Sequence, residues 1–212
     1  IWNTTTYLTS SNTTNTSINW TGLANGVYNY NATIRDIAGN SNTTITRRIT
    51  LDTTTPLVAF GANVLANQSN VSGNYIFANV SYTEINPSNV TFRISNTTGI
   101  WNTTTYLTSS NTTNTSINFT GLANGVYDYN ATLFDIAGNS NTTQLNRITL
   151  DTAAPTITLP LYTNTTKKKN TENLTLNISV SDALSGLFGT TCLIDVNGTN
   201  QSISISGGWC NS

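Results

Sequence analysis

The segment GLANGVYDYNATLFDIAGNSNTT, Gly121 to Thr143, is matched by GLANGVYNYNATIRDIAGNSNTT, Gly22 to Thr44. The match extends outward on both sides. Upstream, IWNTTTYLTSSNTTNTSIN runs letter for letter from Ile1 to Asn19 and again from Ile100 to Asn118. Downstream, the two copies close on LDTTTP (Leu51 to Pro56) and LDTAAP (Leu150 to Pro155). The period is 99 residues, the spacing of Ile1 and Ile100, and a unit of that size is an ordinary domain repeated in tandem. Asp, Thr and Pro at both closures mark an extended junction, because the residue before a proline is driven out of the helical region.

Between the junctions lies one whole unit, and its apolar residues alternate with period two, as strands buried on one face do. Ile76, Ala78, Val80 and Tyr82 share one face; Val90, Phe92 and Ile94 share another. Ile117 with Phe119, then Tyr127, Tyr129, Ala131 and Leu133, then Ile148 with Leu150 complete the set, giving six or seven strands with Leu57 to Phe60. Gly and Asn at Ala123-Asn124-Gly125 and Ala137-Gly138-Asn139 supply the positive φ of tight turns. No window has helical periodicity. The expectation is an all-β chain of tandem immunoglobulin-like β-sandwiches, each closing its core between two inner faces.

The block G-L-x-N-G-x-Y-x-Y-N-A-T-x-x-D-x-A-G-N, followed by a strand and D-T-x-x-P, resembles the Ig-like tandem repeats of large prokaryotic, especially archaeal, cell-surface glycoproteins. The resemblance implies that the Tyr-x-Tyr segment is strand F and D-x-A-G-N the F–G hairpin. Tyr28 and Tyr127 then stand where such folds place a tyrosine corner.

The flanks are incomplete in complementary ways. Residues 1–55 read as the C-terminal half of a unit, residues 56–154 as a complete unit, and residues 155–212 as the N-terminal half of a third. In the last, strands are expected at Thr156 to Leu161 and Asn173 to Ser181, with a hairpin from Cys192 to Ser206. Gly208-Trp209 aligns with Gly99-Ile100-Trp101, which makes Trp2, Trp101 and Trp209 equivalent. A half sandwich leaves an apolar strand face and open backbone edges in water. The halves are therefore expected to meet head to tail, a contact that does not close and so propagates a fibre. Either the chain continues covalently, or separate copies exchange strands. The near coincidence of the end at Trp209 with the start at Trp2 favours continuation.

Two cysteines, Cys192 and Cys210, predict one disulfide. A strict hairpin about Asn197-Gly198 leaves Cys192 opposite a residue well short of Cys210, so the bridge requires a bend at Gly207-Gly208. Such a bridge is typical of exported proteins.

Composition narrows the function. Charged residues are 8% of the chain, against roughly 25% in an average domain, and the net charge is −1. This excludes an electrostatic footprint for nucleic acid or an anionic membrane. Lys167, Lys168 and Lys169 form the one charge run, read as a solvated loop tip. No apolar stretch approaches the roughly 18 residues of a membrane span. No charged-then-apolar leader opens the sequence, so any export signal or anchor is expected to lie outside it or to have been cleaved.

Asparagine-linked acceptor tripeptides number 22, where chance placement of these residues gives roughly ten. They begin at Asn3, Asn12, Asn15, Asn19, Asn31, Asn42, Asn67, Asn70, Asn79, Asn89 and Asn96. They continue at Asn102, Asn111, Asn114, Asn118, Asn130, Asn141, Asn164, Asn173, Asn177, Asn197 and Asn200. Seven of these, Asn31, Asn79, Asn89, Asn118, Asn130, Asn173 and Asn177, fall out of phase with the apolar residues of their strands, hence on the solvent face. Asn is a poor strand former, so its use there favours a sugar acceptor over a merely polar filler.

The catalytic inventory is nearly empty: no His, nine carboxylates, two cysteines. The recurrent acids, Asp36 with Asp135 and Asp52 with Asp151, read as turn caps. A junction calcium, with Glu84 or Asp182 adding an acid, is the weaker reading, because that ion wants six to eight oxygen ligands. With lysine confined to one loop, an intramolecular isopeptide bond is not expected. The tryptophans could form a sugar platform, but recurrence favours core packing. The sequence thus points to a non-enzymatic structural module of an extracellular, N-glycosylated filament, stalk or coat at the cell surface. Its partner is itself, and it needs no cofactor beyond covalent glycans. The alternative is an adhesin module whose loops bind carbohydrate or protein on another cell.

Overall fold

A computed structural model describes residues 4–7, 16–109, 112–159, 178–189 and 191–211. Every element among them is a β-strand. Backbone contacts divide the chain into two compact units, residues 1–54 and 55–212.

The first unit carries β1 (Gly26–Tyr30), β2 (Thr33–Arg35), β3 (Ser41–Thr43) and β4 (Arg47–Leu51). β1 pairs antiparallel with β4, Tyr28 opposite Ile49, and β2 with β3.

The second unit opens with a sandwich built from β5 (Leu57–Phe60), β6 (Ser69–Val71), β7 (Tyr75–Thr83), β8 (Pro87–Asn96), β9 (Gly99–Leu107), β10 (Thr112–Thr120), β11 (Gly125–Asp135), β12 (Ser140–Thr142) and β13 (Asn146–Leu150). One layer has the order β10-β7-β5; the other has β6-β13-β11-β8-β9, with β12 on β11. The period-two residues meet between the layers: Ile76, Ala78, Val80 and Tyr82 of β7 pack with Val90, Phe92 and Ile94 of β8 and with Tyr127, Tyr129, Ala131 and Leu133 of β11. Ile148, Leu150, Phe119 and Leu122 complete this core, and Ile117 packs on it half-buried. The expected all-β, immunoglobulin-like sandwich is what these residues form. β9 was not foreseen from alternation, because its side chains lie on an edge and are mostly exposed.

A five-stranded sheet follows: β14 (Thr156–Thr158), β15 (Ile178–Ser181), β16 (Thr191–Val196), β17 (Thr199–Ser206) and β18 (Trp209–Asn211), in the order β14-β15-β18-β17-β16. Asn197 and Gly198 turn the β16–β17 hairpin with φ of 52° and 78°, the left-handed pair a two-residue hairpin needs. Gly207 and Gly208 turn the next with φ of 58° and 82°.

This register corrects one sequence alignment. The β16–β17 hairpin, closed by Val196 opposite Thr199, is the counterpart of the β8–β9 hairpin, closed by Asn96 opposite Gly99. β18 pairs with β15, Ser179 opposite Trp209, as β10 pairs with β7, Ser81 opposite Asn114. Trp209 therefore occupies the place of Asn114 and not that of Trp101. The expected equivalence of Trp209 with Trp101 and Trp2 does not hold.

Candidate functional site

The repeated hairpin makes the same short-range bonds in both copies. The Tyr28 hydroxyl donates to the Ala24 carbonyl at 2.8 Å, and the Tyr127 hydroxyl to that of Ala123 at 3.0 Å. Both are tyrosine corners, returning to the backbone four residues upstream. Asp36 accepts from the Asn40 backbone and side-chain amides, each at 2.7 Å; Asp135 accepts from those of Asn139 at 2.8 and 2.7 Å. Gly39 and Gly138, with φ of 93° and 95°, make these turns possible.

What covers the two hairpins differs. Tyr129 is 1% exposed, its ring edge-on to Phe60 at 5.4 Å and its hydroxyl accepting from Asn146 Nδ2 at 2.7 Å. Its counterpart Tyr30 is 42% exposed, and Ile34, the counterpart of fully buried Leu133, is 64% exposed. Ile18, Trp20, Tyr30, Ala32, Ile45 and Arg47 line an open concavity of about 370 Å³ where the middle sandwich has its core.

Strand continuity records the same difference. β11 runs unbroken over Gly125–Asp135, although β13 pairs only with 125–129 and β12 only with 132–134. Asn130 and Ala131 are held by β8, opposite Arg93 and Phe92. In the first unit the strand breaks at Asn31-Ala32, the two residues whose partner would be a β8 counterpart.

Fifteen acceptor asparagines fall among the described residues, and none is buried. Asn3, Asn12, Asn15, Asn111, Asn164, Asn173 and Asn177 lie outside them. Asn31 and Asn118 are exposed; Asn89 and Asn130 are half-buried. Asn79 departs from the solvent-face expectation. Its Nδ2 donates to the Ala62 carbonyl at 3.2 Å, its Oδ1 is buried without a partner, and a Cβ at Gly61 would stand 2.7 Å from Nδ2. The turn after β5 folds over this amide, which alternation along β7 could not reveal. Asn141 is also engaged, Nδ2 donating to the Pro56 carbonyl at 3.0 Å and Oδ1 accepting from the Thr142 amide at 2.9 Å.

The tryptophan expectation is overturned at both described positions. Trp101 is 44% exposed and Trp209 42%. Ser95 pairs with Ile100 and Ile94 with Asn102, so Trp101 is the extra residue of a β-bulge and is re-aimed off the core. Trp209 points outward because its neighbour Cys210 points in and is fully buried. Trp2 and Lys167 to Lys169 lie outside the described residues.

Cys192 and Cys210 are joined by a disulfide, with Cα atoms 6.2 Å apart. They sit on β16 and β18, either side of β17. Two strand spacings in a flat sheet amount to roughly 9.5 Å, so the sheet curls about β17 and the bridge ties one side of the curl to the other. Around Cys210 pack Ile178, Val180, Leu187, Ile194, Ile203 and Ile205.

The junction acids are held as caps. Asp151 accepts from the backbone amides of Ala153 and Ser185 and from Asn124 Nδ2. Asp182 accepts from those of Leu184 and Gly186. Glu84 accepts from Asn86, and its carboxylate lies within 4.8 Å of that of Asp135. Among the described residues, three carboxyls lie below the ordinary range: Asp36 through the Asn40 side chain and then its backbone amide, Asp128 through its hydrogen bonds to Arg147, and Asp151 through Ser185 and then Ala153. A depressed carboxyl stabilises the fold above its unfolded value, and that contribution is lost as pH falls through the folded value. With no histidine to titrate, the thermal midpoint is expected to be flat from about pH 5 to 8 and to fall below about pH 4. A midpoint that moves by several degrees near neutrality would contradict this assignment.

No family model and no curated protein matches the sequence. Solved structures do. A tetra-tandem repeat from the extending region of a large adhesion protein is 18% identical, with a TM-score of 0.40 over 89% of this chain and 48% of that one. Fibronectin(III)-like modules of CbhA from Clostridium thermocellum are 19% identical, TM-score 0.33, over 72% and 76%. Dimeric latent PorU from Porphyromonas gingivalis is 17% identical, TM-score 0.34, over 60% and 12%. This chain spans under half of the adhesion-protein structure and 12% of PorU.

Proposed function

We propose that the chain is a structural repeat module of an extracellular, N-glycosylated filament, stalk or coat at a prokaryotic cell surface, with no catalytic role and no cofactor beyond its glycans. The observation that supports this most is the repetition of one hairpin with identical internal bonds, once inside a closed sandwich and once with its apolar face open. A hairpin repeated at a period of 99 residues is what the modules of one tandem array share. The disulfide and the excess of unburied acceptor asparagines support an exported location. Exposed Trp101 and Trp209 favour a second role, adhesion through sugar stacking, since a ring face in water is what a sugar ring packs against.

Native surface material tests the reading. Antibody to the chain is expected to label fibres or a lattice in electron micrographs, and peptide mass spectra are expected to show sugar on exposed acceptors such as Asn31, Asn118 and Asn197. Asn79 and Asn141, whose Nδ2 atoms are bonded to backbone, are expected to be bare. Intracellular label, or wholly unmodified peptides, would refute the proposal; sugar on Asn79 would refute the accessibility argument alone.

A further inference from the structure

On the outer face of the middle sandwich the side chains fall into rows that cross the strands. Thr105, Thr91, Thr132 and Thr142 make one row over β9, β8, β11 and β12, each directly opposite the next. Their hydroxyls bond in pairs, Thr91 with Thr105 at 2.9 Å and Thr132 with Thr142 at 2.8 Å. The neighbouring row differs in character. Over the same four strands it reads Leu107, Asn89, Phe134 and Ser140, and it points outward because the adjacent Val90 and Leu133 are fully buried. An acceptor asparagine thus stands between two large apolar side chains, Leu107 at 88% exposure and the half-buried Phe134. Asn89 Oδ1 accepts from the Thr91 hydroxyl of its own acceptor tripeptide, and Nδ2 donates to the hydroxyl of Ser88, each at 3.3 Å. Neither bond ties the amide to the main chain, in contrast to Nδ2 of Asn79 and of Asn141.

Resting on the proposed glycosylated-module function, we propose that Asn89 is a glycan-anchoring site, at which the first sugar of an N-linked glycan packs on Phe134 with Leu107 as its opposite wall. Directly opposed residues of an antiparallel pair have Cβ atoms about 4.5–5.5 Å apart. A sugar leaving Nδ2 therefore reaches Phe134 across one strand gap and Leu107 across the other. A pyranose ring carries hydroxyls on its rim and C–H groups on its faces, and such hydrogens are attracted to the negative face of an aromatic ring. Covering the row also takes two apolar side chains out of water. The attachment forms a bond from Asn89 Nδ2 to the anomeric carbon of a glycosyl phosphate or pyrophosphate donor. The bond from that carbon to the phosphate oxygen breaks, the phosphate leaves with the electron pair, and Nδ2 gives up one proton to solvent. A glycan held in this way lies over β8 and β11 and braces the sheet that carries it.

The test uses the full chain in glycosylated and sugar-free form, each as wild type, Asn89→Gln, Phe134→Ala and the double variant. In the glycosylated set, Asn89→Gln is expected to lower the thermal midpoint of the middle sandwich by about 4 °C when Phe134 is present, and by much less beside Phe134→Ala. In the sugar-free set the same substitution is expected to have one small effect in both backgrounds. Phe134→Tyr, which keeps the ring, is expected to keep the coupling. A readout on the wild type alone is the proton spectrum of the first sugar at Asn89, whose C–H signals are expected to be shifted upfield by the ring. Equal effects of Asn89→Gln in the two glycosylated backgrounds, or unshifted sugar signals, would overturn the proposal. A bare Asn89 in native material whose Asn31, Asn118 and Asn197 carry sugar would remove this site and leave the glycosylated-module function standing, whereas sugar-free native peptides throughout would sink both.

Discussion

Tyr129→Ala is expected to destabilise the middle sandwich by about 3–5 kcal/mol, the loss for truncating a fully buried aromatic side chain. Three contributions sit at this residue. The ring is 1% exposed, packs edge-on against Phe60, and anchors Asn146, whose amide also donates to the Leu65 carbonyl at 2.8 Å. Removing it opens a cavity between the layers and strips one partner from a buried amide. One period earlier, Tyr30→Ala is expected to cost less than about 1 kcal/mol in the dilute chain, because that ring is 42% exposed and the place of Asn146 is taken by Arg47. Urea unfolding followed by hydrogen exchange, read separately for residues 26–51 and 125–150, distinguishes the two. Equal losses would mean that the first hairpin is as covered as the second.

Reducing the disulfide, or replacing both cysteines with serine, is expected to destabilise the C-terminal sheet by about 3 kcal/mol, as loop closure over a short segment predicts. The bridge spans 18 residues, and among the described residues the core it ties has Ile178, Val180 and Cys210 as its buried apolar side chains. So small a core has little else to offset the entropy of ordering five strands. Amide exchange in 178–181 and 191–211 is expected to accelerate on reduction, while β7, β8 and β11 keep their protection. Uniform acceleration across residues 55–212 would show that the two cores unfold as one. An unchanged rate at Cys210 and its neighbours would assign the stability to packing and not to the bridge.

Much of the fold was readable because it is written in local pattern. Alternation along 76–82, 90–94 and 127–133 marked the inner faces of three strands, and each residue so marked is buried. Asn197-Gly198 and Gly207-Gly208 announced their turns through the only chemistry that tolerates paired positive φ. β9 went unseen because an edge strand has no buried face to impose alternation, and its Asn and Thr residues carry no apolar rhythm. The alignment of Trp209 with Trp101 failed because a shared residue name is weaker than strand order. Only the pairing of β18 with β15 revealed which strand it was.

The two hairpins separate what short-range chemistry settles from what distant partners settle. Tyr28 and Tyr127 reach carbonyls four residues away, and Asp36 and Asp135 cap turns of the same span, so identical letters made identical bonds in both copies. Burial did not follow the letters. Tyr30 and Tyr129 occupy equivalent places, yet one faces water and the other the core, since the strands that cover Tyr129 lie dozens of residues away in sequence and not within the hairpin. The same reason leaves β1 and β2 broken where β11 is whole, turns Trp101 outward at a bulge, and closes Asn79 beneath the chain at Gly61 and Ala62. Hydrogen bonds within a turn depend on neighbours in sequence, whereas exclusion of water depends on whichever surfaces the chain brings together.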